Sequence, residues 1–108
     1  MTAAHELLHA LGSHHEQTRY DRDNYVIFEA SAANQTKLHN FRKMRKDENN
    51  NYGVNYDYGS VMHYGATITN GTDPVLATKD RQFMNTIGQV RFVGFSDIKQ
   101  LNSMYSCA

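Results

Sequence analysis

His5-Glu6-Leu7-Leu8-His9-Ala10-Leu11-Gly12-Ser13-His14-His15-Glu16 stands near the start of a chain of 108 residues. Its reading decides the fold. Ala3, Ala4, Leu7, Leu8 and Leu11 recur at i, i+3 and i+4 spacing, which predicts a helix over residues 2–11. Thr2 offers a side-chain oxygen as its N-cap. Residues four apart lie one above the other on a helix, so His5 and His9 present two imidazoles on one face.

Two imidazoles so placed suit a metal ion, and zinc above all. Glu6 lies one step round from His5, within reach of a water activated by that ion but not itself a ligand. A third ligand requires the helix to stop. A continuous helix would carry both His14 and His15 away from the zinc face. Gly12 tolerates positive φ and suits the position just past a helix end, so a turn there can swing the following segment back. The spacing selects His15, with the adjacent His14 as the spare.

Composition narrows the remaining classes. Eleven basic and eleven acidic residues cancel, and no basic stripe points to nucleic acid. No apolar run approaches a membrane span, and no signal peptide is visible. Cys107 is the single cysteine, so on its own it is either a free thiol or half of a disulfide made elsewhere. Asn34-Gln35-Thr36 and Asn70-Gly71-Thr72 are glycosylation sequons and favour secretion weakly.

Further along, Arg19-Tyr20-Asp21-Arg22-Asp23 reads either as a solvated loop or as ion pairs that fix the turn after the histidines. Tyr25 to Phe28 is a short β-prone run. Leu38, Phe41, Met44 and Arg45 form a partial stripe that predicts a second helix from Ala30 to about Lys46, with His39 on its surface. Residues 49–60 are turn chemistry with interleaved tyrosines. Residues 65–95 read as irregular chain with short extended pieces. Phe83, Met84, Phe92 and Phe95 are expected in the core or a cleft wall. Ser96 as N-cap, with Ile98, Leu101, Met104 and Tyr105 on one face, predicts a closing helix over about 97–105.

Ser60-Val61-Met62-His63-Tyr64 forms a second constellation. Methionine in a tight turn is an apolar, adaptable floor beneath three imidazoles. A tyrosine two residues on can bring a phenol oxygen to the metal or to a developing oxyanion. His63 is expected to face away from the inner side of the turn and to be structural.

The chain resembles the astacin family of zinc endopeptidases, within the metzincins. The resemblance rests on the zinc string and its continuation His15-Glu16-Gln17-Thr18-Arg19, then Asp21 to Val26. It rests also on Tyr56 to Tyr64, on Ile87-Gly88-Gln89, and on the closing segments Ser96-Asp97-Ile98 and Tyr105-Ser106-Cys107. It implies an α+β, zincin-like fold, here reduced to the zinc helix, an irregular C-terminal subdomain and a C-terminal helix. His5, His9 and His15 would hold one zinc ion per chain. Glu6 would be general base and then general acid. Tyr64 would be a switchable fifth ligand that stabilises the transition state, and Met62 would lie beneath the site. Glu16 would pair with the N-terminus of a mature enzyme. Cys107 would pair with a cysteine outside this chain.

The same resemblance implies polypeptide substrates and an extracellular location, and with them that one or more of residues 65–95 shape the pocket for the residue after the scissile bond. It also reads residues 1–108 as part of a catalytic domain whose N-terminal sheet subdomain is missing. Ser13 departs from the family, which usually has an aromatic or other apolar residue there. Two functions follow as expectations: a zinc-dependent metalloendopeptidase, or a catalytically inactive zinc-binding fragment without the substrate-binding sheet. Substrate preference and oligomeric state are not written in these motifs.

Overall fold

The structure, a computed structural model, describes residues 2–67 and 74–107. The sequon at Asn70 lies outside the described residues. Helix α1 spans Ala3–Ala10, and Thr2 caps it by accepting the His5 amide at 3.2 Å. The helix stops as expected at glycine. Gly12 has φ +106°, its N–H bonds the His9 carbonyl at 3.0 Å, and the Ser13 N–H bonds the Leu8 carbonyl at 2.9 Å. Those two bonds are a Schellman motif, which satisfies carbonyls that the helix end would orphan.

The charged run after the histidines forms the ion pairs, not the solvated loop. Arg19 grips Asp21 through two nitrogens at 2.9 Å each, and it also reaches Glu16 and the Val54 carbonyl at 3.0 Å. Arg22 donates to the carbonyls of Gln17 and Phe41. Both guanidinium groups are buried, so their planar forks tie distant loop segments into one scaffold.

The β-prone run becomes strand β1, Val26–Phe28, paired antiparallel with β2, Leu76–Thr78. Val26 faces Thr78 and Phe28 faces Leu76. Side chains alternate: Val26 is buried and Ile27 is exposed.

The predicted second helix does not form. Residues Ala30–Ala32 and Gln35–Phe41 are separate 3₁₀ turns. Ala33 between them is extended, and the Asn34 side chain takes the Thr36 amide. Such side-chain capture of backbone is the usual reason asparagine interrupts helices. Arg42 is extended, and Met44 N–H bonds the Thr18 carbonyl at 2.8 Å, so the chain leaves in another direction. Residues 49–60 are loop, as expected; within it the Tyr56 ring stacks on Tyr25 at 4.5 Å.

Helix α2 spans Phe95–Met104. It begins two residues before the position predicted, because Asp97 reaches back to the Gly94 N–H at 3.0 Å and makes Gly94 the cap in place of Ser96. Leu101 and Met104 turn inward, but Ile98 and Tyr105 are exposed. Tyr105 still fastens the helix, since its hydroxyl donates to the Leu11 carbonyl at 2.6 Å. Phe92 and Phe95 are also exposed and outside the core, on the wall of an open hollow, whereas Phe83 stacks on Tyr58 at 4.9 Å and the Met84 sulfur accepts the Thr78 amide.

The main core gathers Val26, Phe41, Tyr56, Val75, Leu76 and Ile87 beneath the two strands. A second, smaller cluster of Leu8, Val61 and Met62, with Leu101 against it, clamps α1 to α2 across the methionine turn. Helices beside a small antiparallel sheet make the fold α+β. No helix among the described residues is long and apolar enough to cross a membrane.

Candidate metal centre

His5 and His9 lie one turn apart on α1, and the turn at Gly12 returns His15 to them. The Nε2 atoms of His5 and His9 are 3.1 Å apart, and each lies 3.2 Å from Nε2 of His15. The tautomers follow from the opposite ring edges. His5 Nδ1 donates to the Val61 carbonyl and His9 Nδ1 to the Ser13 carbonyl, both at 2.8 Å. A carbonyl only accepts, so each Nδ1 carries the hydrogen and each Nε2 aims a lone pair at the common centre.

This donor set fits zinc. Nitrogens bound at about 2.0–2.1 Å with tetrahedral angles lie roughly 3.3–3.4 Å from one another, and the spacing here is close to that. Lone pairs converging at such range repel unless a cation lies between them. Burial, followed by the neighbouring His9 and His5, holds His15 down to about 4, so its ring is neutral at neutral pH as a ligand must be. The three form the cluster the described residues bring together; His14 is exposed and stands outside it.

The methionine turn meets this centre at the Val61 carbonyl, which accepts His5 Nδ1–H. His63 N–H closes it on the Ser60 carbonyl, and the Met62 carbonyl accepts the Glu16 amide at 3.0 Å. Met62 is buried against Leu8 and Val61. The Tyr64 ring packs on His15 with centroids 4.5 Å apart. Burial first, then the Glu6 carboxylate, pushes the Tyr64 phenol up, so it keeps its proton to donate. Glu6 itself is exposed on α1 beside His5.

His63 is buried, as expected of a structural residue. Its Nδ1 donates to the Tyr64 carbonyl at 2.6 Å, and its Nε2 takes the Tyr56 hydroxyl at 2.7 Å. Glu16 is buried against Arg19; desolvation pushes its carboxyl up to about 7, with the guanidinium opposing. Cys107 is an exposed free thiol.

Two residues with positions in the site escape sequence reasoning. Gln17 is fully buried, and its Oε1 accepts the Tyr64 amide at 3.1 Å. Asp97 accepts from Ser60 and Val61 in the methionine turn. Both are polar residues of ordinary type, and only their tertiary contacts set them apart. An open cavity of about 350 Å³ adjoins the centre at His5, with Lys37, Asn40, Tyr64, Gly88 and Val90 in its walls. A larger hollow of about 740 Å³, flanked by Asp57, Phe92 and Phe95, touches none of the histidines.

These features define a class: a helix with two histidines, a glycine turn to a third, and a methionine turn bonded to the first. The model of the Astacin peptidase family matches residues 1–106. The chain belongs to the astacin family. It is 45% identical over 107 residues to zinc metalloproteinase nas-31 of Caenorhabditis elegans, covering 98% of this chain and 17% of that protein. It is 43% identical over 108 residues to human (Homo sapiens) meprin A subunit beta, covering 99% of this chain and 15% of that protein. Among solved structures it resembles high choriolytic enzyme 1, a hatching enzyme zinc-protease of the medaka fish Oryzias latipes. The TM-score is 0.84 and the identity 39%, over 96% of this chain and 51% of that one. The chain thus spans about half of that solved chain and less than a fifth of these two relatives.

Proposed function

We propose that this chain carries the metal centre of a zinc-dependent endopeptidase. Residues 1–108 would be the zinc helix and C-terminal subdomain of an astacin-like catalytic domain, one zinc per chain. The convergence of Nε2 of His5, His9 and His15, at 3.1–3.2 Å, is the observation that carries the reading. When bound, zinc supplies Lewis acidity and brings the pKa of a water towards neutrality.

The protein's own groups do the rest. Glu6 takes a proton from the attacking water and later passes it to the leaving amine. Tyr64 donates its phenol hydrogen to the oxyanion and offers the same oxygen as a further ligand. Gly12 allows the turn that places His15. Met62 fills the floor, and Glu16 with Arg19 anchors the segment behind His15. The substrate is a polypeptide, and the 350 Å³ cavity beside His5 and Tyr64 receives the side chain that follows the scissile bond. Gly65, Gly88 and Val90, all within residues 65–95, line part of that cavity. By its family the protein works outside the cell, where Cys107 can enter a disulfide.

A second reading has its own observation. Leu7 on α1 is 61% exposed, and the sheet has two short strands, so substrate walls are few. On that reading the chain binds zinc without turnover. Zinc per chain and cleavage of an unfolded protein substrate, measured for the chain and for Glu6→Gln, separate the two. Zinc in both with cleavage only in the unsubstituted chain is the expected result. Zinc in both and cleavage in neither selects the non-catalytic reading. Absence of zinc from both rejects each.

A further inference from the structure

His5 is held by more than the Val61 carbonyl. The peptide that joins Val61 to Met62 has two ends, and both are engaged. Its carbonyl accepts His5 Nδ1–H at 2.8 Å, and its N–H donates to Ser60 Oγ at 3.0 Å. Ser60 Oγ then donates to Oδ1 of Asp97. The direction of every bond is fixed. An amide N–H only donates, so Ser60 Oγ spends a lone pair on Met62 and turns its hydrogen to the carboxylate. From His5 to Asp97 each hydrogen points the same way.

We propose that Asp97 is a positioning residue for the metal centre, acting on His5 through Ser60 and the Val61–Met62 peptide. The inference rests on the reading of His5 as a metal ligand. A carboxylate at the end of aligned hydrogen bonds polarises each in turn, and the effect grows where water is excluded. His5, Ser60, Val61, Met62 and Asp97 are all buried. Polarisation makes the Val61 carbonyl a stronger acceptor, which enriches the His5 ring and strengthens Nε2 as a donor to metal. Metal-binding histidines commonly owe this to a carboxylate on their far nitrogen. Here the carboxylate stands on α2, two groups away. Its other oxygen accepts Val61 N–H at 3.3 Å and Gly94 N–H at 3.0 Å, so the same residue starts α2 and pins the turn.

Two variants separate relay from brace. Asp97→Asn keeps the shape, removes the charge and cannot accept from all of its present donors. Ser60→Ala cuts the link to Oδ1 but leaves the bonds from Oδ2 to Val61 and Gly94 in place, so α2 stays capped. The measurement is the zinc dissociation constant of the folded chain at neutral pH, by competition with a chromophoric chelator, with near-UV circular dichroism to register the fold. Changes in such outer partners shift metal affinity by about 10–100-fold. About 10-fold weaker binding is expected in each single variant, and no further loss in the double variant, because both cut one chain. In the zinc-loaded chain the NMR resonance of the His5 Nδ1 proton should move upfield in both.

Wild-type affinity in Ser60→Ala, or losses that multiply in the double variant, would overturn the relay. Should Asp97→Asn fail to fold, Ser60→Ala decides alone, since a brace without a relay leaves its affinity and the His5 resonance unchanged. An unsubstituted chain that takes up no zinc rejects the metal centre itself, and the relay with it.

Discussion

Acidification should destabilise this protein through His63. The ring is almost wholly buried, with Nδ1–H donating to the Tyr64 carbonyl and Nε2 accepting from Tyr56. A proton on Nε2 would face a phenol that already donates to that atom. Burial therefore holds the pKa down from 6.5 to about 4, despite the opposing bond to Tyr64. In the unfolded chain the imidazole returns to its ordinary value. The stability it contributes is complete above pH 6.5 and is lost as pH falls towards 4, because the unfolded state binds the extra proton. A shift of that size corresponds to about 3 kcal/mol, a large part of the stability of a small domain. The assay is urea unfolding of the zinc-free chain at several values between pH 7 and 4.5, beside His63→Gln. His15 titrates in the same window in both proteins, so the difference between the curves isolates His63. The variant should be less stable at pH 7 and should have the shallower pH slope, by up to about 1.4 kcal/mol per pH unit. Parallel curves would refute the reasoning.

Other substitutions probe packing and chemistry. A Cβ at Gly88 would lie 2.6 Å from the Gly65 Cα, at φ +86°; Gly88→Ala should cost about 2–5 kcal/mol in chemical denaturation, from left-handed strain and overpacking together. Phe41 is 1% exposed, stacked on Phe28 at 4.8 Å and set edge-on to Tyr64 at 5.7 Å. Phe41→Ala should therefore lower stability by about 3–5 kcal/mol, with a drop in Tm that zinc only partly restores. Tyr64→Phe should reduce kcat about 10²-fold with KM and zinc content unchanged. A rise in KM alone would place the phenol in ground-state binding instead.

Much of the centre was legible from positions 2–16 alone. Helical period put His5 and His9 on one face, and Gly12 marked where the helix had to end. Those are local matters of backbone sterics and spacing, and they hold in any surroundings. The charged run after His15 was ambiguous because solvated and buried arginines look alike in a string. Carbonyls of Val54, Gln17 and Phe41, from other parts of the chain, made Arg19 and Arg22 structural. The stripe from Leu38 to Met44 suggested a helix, but the Asn34 side chain and the pull of Thr18 on Met44 broke it.

By itself, then, the amino-acid order determined the zinc string, the methionine turn and their family, because each depends on residue type at short, fixed spacing. Spacing had already selected His15 over His14; tertiary structure turned the His15 ring inward and left His14 exposed. It also decided the roles of Gln17 and Asp97, whose partners lie 47 and 37 residues away, at Tyr64 and Ser60. A hydrogen bond over that separation leaves no periodic trace in sequence; it exists only once the core has brought the two segments within about 3 Å of each other.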